Sequence, residues 1–220
     1  LVDRLKAVRE PHIDYVELLR STTSTRETAG ALGNILRYLS TPSSPVLLAT
    51  AFQVWQRDDR DEPVEAARLE LITKALRTCK QVEDFVWPRP GNDWLDQATI
   101  AVEDIDAREM LEQYRLLVRR WHEAVVLPID QLMLTLAQDL FRHPVDLAVT
   151  HSMAVFLRRF AEQHPQASLA DYTAELAVVA RNERRFLGLS DEDTGFDPDK
   201  HRGKVCIATM HSAKGLEWDR

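Results

Sequence analysis

The stretch DAREMLEQYRLLVRRWHEAV at residues 106–125 decides the fold class of this chain. Its apolar positions recur every three or four residues, which is the period of a helix with one buried face. We expect a long helix that opens at Asp106, in a chain that is mainly α. The residues of its buried face are Leu111, Tyr114, Val118, Trp121 and Val125.

Three arginines, Arg115, Arg119 and Arg120, lie beside this apolar face. Acidic residues surround them in the sequence, which favours a solvated or salt-bridged helix face. A patch that contacts DNA is the alternative. The formal net charge of −7 argues against a broad nucleic-acid-binding surface, because such surfaces usually carry an excess of basic residues. A local contact through a few polar groups stays open.

Six more segments carry helical periodicity or a helix-start signal. Thr25 can cap the first, which ends before Thr41-Pro42, and Ser168 forms a capping box with Asp171 for the last. The other four start at or just after Pro45, Pro63, Pro128 and Pro144. Together with the central helix, this pattern predicts about seven helices.

Two of these helices have apolar faces that can be assigned residue by residue. The first is expected to bury Ala29, Leu32, Ile35, Leu36 and Leu39. The helix after Pro63 is expected to bury Ala67, Leu71, Ala75 and Leu76. The charged stretch QRDDRDE at residues 56–62 is interpreted as a solvated turn between helices.

Residues 87–95, WPRPGNDWL, contain two prolines and a glycine and are interpreted as a loop. Trp87 and Trp94 can anchor this loop against the core, which is the preferred interpretation. The alternative is that the two indole rings form a platform on which nucleic-acid bases stack.

Short strands are predicted near both ends of the chain. Residues 12–19 lack a helical period, and residues 204–209 alternate apolar and polar side chains. The polar, turn-rich stretch before the second strand is interpreted as a linker. This pattern divides the chain into a first sheet piece at 1–22, a helical insertion at 23–190, a linker at 191–203 and a returning strand at 204–220.

Several classes of protein and site are excluded by composition and spacing. Charged residues interrupt every apolar window before it reaches the roughly 20 residues that span a bilayer, so no membrane segment is expected. Cys79 and Cys206 lie far apart and are interpreted as buried free thiols in a reducing cytoplasm. The seven histidines show no metal-binding spacing, so no metal site is expected.

The segment TMHSAKGLEW at residues 209–218 directly follows the second predicted strand. Hydroxyl, imidazole and ammonium groups can donate to phosphate oxygens, and a carboxylate can accept from sugar hydroxyls. Ligands of open α/β sheets bind at such carboxyl ends of strands. The placement is suggestive of a ligand site. An ordinary strand–turn–helix that contains KGLE by chance is the structural alternative.

This segment resembles the fifth motif of superfamily 1 DNA helicases of the UvrD/Rep type, T-x-H-x-x-K-G-L-E followed by an aromatic residue. The matching residues are Thr209, His211, Lys214, Gly215, Leu216, Glu217 and Trp218. Residues 1–19 resemble the helix and strand that follow the fourth motif. In that family a helical accessory module interrupts the second RecA-like motor domain between these two motifs. The resemblance implies a 2B-like helical insertion with strand pieces of an incomplete RecA-like α/β domain at both ends.

The resemblance also implies roles for single residues. Thr209 and His211 would face single-stranded DNA, and Gly215 and Glu217 would approach the nucleotide, with Glu217 accepting from its ribose. Lys214 would order the junction between the two sites and so couple nucleotide state to DNA binding. A structural salt bridge between Lys214 and Glu217 is the alternative.

The chain contains no GxxxxGK[ST] phosphate loop and no strand that ends in paired acidic residues. Its first residue is Leu1, and it stops at Arg220 soon after a strand, so we expect a fragment of a longer protein. ATP and Mg²⁺ would bind the parent, and neither is expected on the fragment. The fragment is expected to contain no catalytic residue and to lack ATPase activity.

The resemblance implies a parent that is an ATP-dependent 3′-to-5′ DNA helicase or translocase of DNA repair or replication. Its partners would be single-stranded and forked DNA, with regulatory proteins possible, no membrane, and a cytoplasmic location. The alternative is that the helical part is a protein-interaction or autoregulatory module of a helicase or helicase–nuclease. A third alternative is a freestanding helical binding protein.

Overall fold

Two short parallel strands lie near the two ends of the chain in a computed structural model that describes residues 15–18, 23–58, 63–181 and 205–208. Strand β1 (Tyr15–Leu18) pairs with β2 (Val205–Ala208), and Leu18 lies opposite Ala208. Parallel neighbours require a crossover connection of a dozen or more residues. Here the crossover contains every helix of the described residues. The two predicted strands are therefore present, and they are direct neighbours.

The mainly α prediction is confirmed, because nine helices fill the described part of the crossover. Seven of them match the seven predicted segments, and the two short ones were not predicted. The helices are α1 (Thr23–Ser40), α2 (Pro45–Trp55), α3 (Pro63–Arg77), α4 (Val82–Val86), α5 (Thr99–Glu103), α6 (Ile105–Ala124), α7 (Ile129–Leu140), α8 (Pro144–Gln163) and α9 (Leu169–Ala180). A 3₁₀ turn (Trp94–Asp96) lies between α4 and α5.

Side-chain caps define several of the helix starts. Ser44 accepts the Leu47 amide proton ahead of α2, and the predicted capping box of α9 is present, with the Ser168 amide donating to the Asp171 carboxylate over 2.8 Å. The cap of α6 is Asp104 rather than the predicted opener Asp106. Asp104 accepts two backbone N–H groups of the first turn, which an aspartate inside the helix could not do.

The core forms around α1 and α6. The predicted buried face of α1 is confirmed residue by residue, and Leu111, Tyr114, Val118 and Trp121 of α6 are fully buried. The Tyr114 ring stacks on Trp55 with a centroid distance of 5.6 Å and meets the Phe52 edge at 5.2 Å. These aromatic contacts join α2 to α6, so the long helix is central to the packing, as its sequence predicts.

Helix α9 packs along α1 through small residues. A Cβ added at Gly33 would lie 3.7 Å from the Cβ of Leu176, and one added at Gly30 would lie 3.9 Å from that of Ala180. Helix α1 also contacts α8, because Ser24 and Thr28 both donate to Asp146, over 3.0 and 3.2 Å. Helix α1 is thus held on two sides by the last two helices.

The predicted buried face of α3 is confirmed at Leu76 and is wrong at Ala67 and Leu71. Leu69, Ile72 and Leu76 are buried, whereas Leu71 is 52% exposed and Ala67 is also exposed. Helix α3 carries two apolar stripes, and periodicity alone does not say which one packs inward. The tertiary contacts of α3 select the stripe through Leu69 and leave the stripe through Leu71 on the surface.

Two more predictions concern turns and linkers. Gln56 lies in the predicted solvated turn but is buried, since it forms the C-cap of α2 with its amide donating to Phe52 O. Residues 59–62 and the predicted linker at 191–203 lie outside the described residues.

Among the helices that the structure describes, none is both long and apolar enough to cross a membrane.

Candidate functional site

The predicted nucleotide and DNA residues begin one position after β2. Thr209, His211, Lys214, Gly215 and Glu217 all lie outside the described residues, so their side-chain geometry stays a prediction. The described backbone does show where the chain enters this segment. Because β1 and β2 are parallel, Leu18 and Ala208 end at the same edge, and residue 209 follows at that edge. Carboxyl ends of parallel strands are where open α/β sheets bind ligands.

The β1–β2 pair is small for a parallel sheet. Parallel sheets are normally covered on both faces, and a pair of short strands is at best marginally stable by itself. Within the described ranges, no third strand pairs with either one.

A second polar cluster lies between α1, α4 and α6. The Tyr38 hydroxyl and His122 Nε2 are hydrogen-bonded over 3.0 Å, and the Trp87 ring meets the His122 imidazole with centroids 4.8 Å apart. Burial raises the pKa of Tyr38 well above its ordinary value and lowers the pKa of His122 below 6.5. Both groups are therefore held in their neutral forms.

Cys79 lies near this cluster and is a buried free thiol, as predicted. Its Sγ donates to the Gln81 carbonyl over 3.2 Å, and burial raises its pKa to about 11. A thiol with a raised pKa is a poor nucleophile, because the thiolate is the reactive form. The cluster is thus arranged for structure rather than for covalent catalysis. The side chain of Cys206 is outside the described part.

The 87–95 loop is anchored mainly by Trp94 and Leu95. The Trp94 ring packs edge-on against Phe85 at 5.6 Å, and Leu95 is fully buried. Trp87 differs, because 49% of it is exposed, although its ring contacts the His122 imidazole with centroids 4.8 Å apart. The predicted anchoring role is therefore confirmed for Trp94, whereas Trp87 anchors the loop only in part, because about half of the residue is exposed.

Two of the three arginines of α6, Arg115 and Arg120, form ion pairs as the salt-bridge interpretation predicted, and Arg119 donates to a backbone carbonyl instead. Arg115 donates through both terminal nitrogens to Asp93, at 2.8 Å for Nη1, and Arg120 pairs with Asp139. Arg119 Nε donates to the Val86 carbonyl over 2.6 Å.

The Asp93 partner of Arg115 belongs to the same loop. Burial alone would raise the pKa of Asp93, but hydrogen bonds from Arg115 and from the Leu95 amide lower it below its ordinary value. This arginine therefore fixes the loop through a charged pair. It does not present its charge to solvent, because its side chain is only 11% exposed.

The described surface contains several clefts. One of about 780 Å³ lies between α3, α4 and α5 and is lined by Leu71, Trp94 and Ile100 among others. A cleft of about 670 Å³ opens between α1, α2 and Asp146, and one of about 630 Å³ lies between α7, α8 and α9. No group of three His, Cys, Asp or Glu side chains in the described residues is arranged to hold a metal ion.

Comparisons with known proteins give no information on the chemistry of this chain. No protein-family model, no curated protein and no solved structure matches this chain.

Proposed function

We propose that this chain is the helical insertion, with its flanking strands, of an ATP-dependent DNA helicase or translocase in the cytoplasm. The observation that carries the proposal is the segment TMHSAKGLEW, which follows a strand directly. This segment resembles the fifth motif of superfamily 1 DNA helicases, and its hydroxyl, imidazole, ammonium and carboxylate groups are of the kinds that can contact phosphates and a ribose. Thr209 and His211 are proposed for DNA, Gly215 and Glu217 for nucleotide, and Lys214 for coupling.

The described backbone supports this proposal in one respect. Parallel neighbouring strands need a crossover connection, and the described residues between β1 and β2 form helices, which is compatible with a helical insertion in a sheet. The chain leaves the pair after Leu18 and returns at Val205. An insertion of this kind can move relative to the sheet while a short segment at the sheet edge transmits the change of nucleotide state.

ATPase activity distinguishes the proposed parent from the chain itself. We expect the 220-residue chain to show no ATPase activity, because it contains no phosphate loop. A longer protein that contains this chain should hydrolyse ATP with Mg²⁺, faster when single-stranded DNA is added, and should unwind DNA from 3′ to 5′. A longer protein without a phosphate loop would contradict the proposal.

The two ends of the segment can be tested separately in that longer protein. Glu217→Ala should raise the KM for ATP more than it weakens binding of single-stranded DNA, because Glu217 is assigned to the ribose. His211→Ala should do the reverse. Thr150→Val, at a buried position in α8, serves as a control for general destabilisation. Equal losses of both activities from either change would rule out the assigned roles.

A protein-interaction module is the second candidate, and one observation favours it. The outer stripe of α3 leaves Val64 and Leu71 exposed, and Leu71 borders the 780 Å³ cleft. Contiguous exposed apolar surface is typical of interaction sites. Titration of the chain with forked DNA at low salt separates the candidates, because an interaction module should show no salt-sensitive binding.

A further inference from the structure

We propose that Trp87, Arg89 and Arg119, here called the Trp87 patch, bind single-stranded nucleic acid by stacking a base on the exposed indole face. This inference rests on the proposed function, since it assumes that the chain acts on DNA. It goes beyond that function because it places a contact within the helical insertion, away from the segment at 209–218.

The indole of Trp87 is half-exposed and has a contact within the protein. Its backbone amide caps α4 by donating to Glu83 O over 2.7 Å, and its ring meets the His122 imidazole at 63° with centroids 4.8 Å apart. His122 is in turn hydrogen-bonded to the buried Tyr38. A ring that is held by such a contact and is still 49% exposed offers a surface on which a base can stack with a reduced loss of side-chain entropy.

The turn after Trp87 is also restricted. Pro88 and Pro90 limit the backbone, Gly91 takes a positive φ of 81°, and Arg89 pairs with Asn92 across the turn. Only glycine adopts this φ without strain. The Arg89 side chain is exposed and makes no hydrogen bond or ion pair within the described residues. It is therefore free to contact a phosphate next to a stacked base.

Arg119 supplies the second cation. Its Nε donates to the carbonyl of Val86, the residue before Trp87, which fixes the guanidinium beside the start of the turn. Its two terminal nitrogens have no acceptor among the residues that the structure describes. A guanidinium whose two terminal nitrogens are free can donate hydrogen bonds to a phosphate oxygen. One aromatic face with two free cationic groups matches the chemistry of single-stranded nucleic acid more closely than that of an apolar protein partner.

The expected affinity is modest. Glu83 lies one turn before Trp87 on α4 and reduces the positive charge of the patch, and the whole chain is acidic. Two phosphate contacts predict a slope of about −1.4 for the logarithm of the binding constant against the logarithm of salt concentration. A steeper slope would require contacts outside the patch.

The test uses the 220-residue chain and a labelled oligothymidylate of about 15 nucleotides at low salt, read by fluorescence anisotropy. Trp87→Ala should weaken binding about tenfold or more, whereas Trp87→Phe should retain most of it because a flat ring remains. Arg89→Ala should weaken binding and reduce the salt slope by about 0.7. Arg142→Ala, at another exposed arginine without a partner in the described residues, is the matched control.

Quenching of tryptophan emission gives an independent measurement. The oligonucleotide should quench the wild-type chain more than Trp87→Phe, because the other tryptophans are common to both. Unchanged binding in Trp87→Ala, or no binding by the wild-type chain, would contradict the proposal that the Trp87 patch binds single-stranded nucleic acid. In either case DNA-stimulated ATPase activity of the longer protein would leave the proposed function intact, whereas its absence would remove the proposed function itself.

Discussion

At the scale of single residues, Tyr114 connects α6 to α2 in the core through both its ring and its hydroxyl. Its ring contacts Phe52 and Trp55, and its hydroxyl donates to the Leu48 carbonyl of α2 over 2.7 Å. The residue is completely buried, so water cannot replace that acceptor. Burial also raises the pKa of the phenol far above its ordinary value, which keeps the hydroxyl protonated as a donor.

Tyr114→Phe should destabilise the chain by about 1 kcal/mol, because it removes one buried hydrogen bond and keeps the ring packing. Urea denaturation followed by far-UV circular dichroism measures the change. Tyr172→Phe is the matched control, since the Tyr172 hydroxyl is partly exposed and makes no hydrogen bond in the described residues. Equal effects from both changes would contradict the role of the Leu48 contact.

His122 should make stability depend on pH. Burial lowers its pKa below the ordinary value of 6.5, so the unfolded chain takes up this proton first as the pH falls. The stabilising contribution is therefore complete above pH 6.5 and is lost as the pH falls through the folded-state pKa. His122→Gln should reduce the loss of stability over this window, measured by urea denaturation at several pH values. The exposed His151→Gln should not change it.

At the scale of elements, two local contacts can be tested by substitution. Arg115 joins α6 to the 87–95 loop, and Gly33 of α1 faces Leu176 of α9 with room for a methyl group but little more.

Arg115→Met should destabilise the chain by about 2 kcal/mol, because it leaves the Asp93 carboxylate partly buried without its cation. The side chains of the pair are 11% and 23% exposed, so solvent screens it only in part. Thermal or urea denaturation gives the value. Lys74→Met is the matched control, because the side chains of Lys74 and its partner Glu70 are 63% and 67% exposed and such a surface pair contributes little to stability. A similar loss from both changes would show that the loop does not depend on Arg115.

Substitutions at Gly33 should have opposite signs according to size. Gly33→Ala should stabilise the chain by up to about 1 kcal/mol, since alanine favours a helix and its Cβ would meet Leu176 at an ordinary contact distance of 3.7 Å. Gly33→Leu should destabilise by about 1–3 kcal/mol, because the longer side chain would separate α9 from α1. Urea denaturation of both variants decides this. Destabilisation by alanine would contradict the packing.

At the scale of the whole molecule, the described hydrophobic core lies within the helical region. Among the residues whose burial is described, the buried apolar ones extend from Ala29 to Val179. A core of that extent can support an independently folding unit.

A piece that contains residues 23–181 should therefore fold alone. Its far-UV circular dichroism per residue should be more helical than that of the full chain, and its thermal midpoint should lie within a few degrees of it. Cooperative unfolding is expected, because the described core extends over all the long helices of this piece. Loss of the cooperative transition on removing the two ends would show that the strands hold the helices together.

Sequence-based prediction agrees with the structure where an element is long and where its residue pattern is compatible with only one arrangement. The buried face of α1 and the capping box at Ser168 were predicted correctly, because each rests on local spacing with one solution. Helices α4 and α5 were missed because five residues are too few to show a period. The exposure of Trp87 was also missed, since aromatic residues in loops are usually anchors and no local signal separates an anchored ring from a half-exposed one.

The sequence by itself determined the seven long helices, most of their starts, the two short strands and the segment at 209–218 on which the proposed function rests. These are local properties that follow from periodicity, capping and residue type. Only the tertiary structure decided which stripe of α3 is buried, how the α6 arginines are paired and that β1 lies beside β2. Each depends on residues distant in sequence, because burial and strand pairing are decided by which surfaces the folded chain brings together.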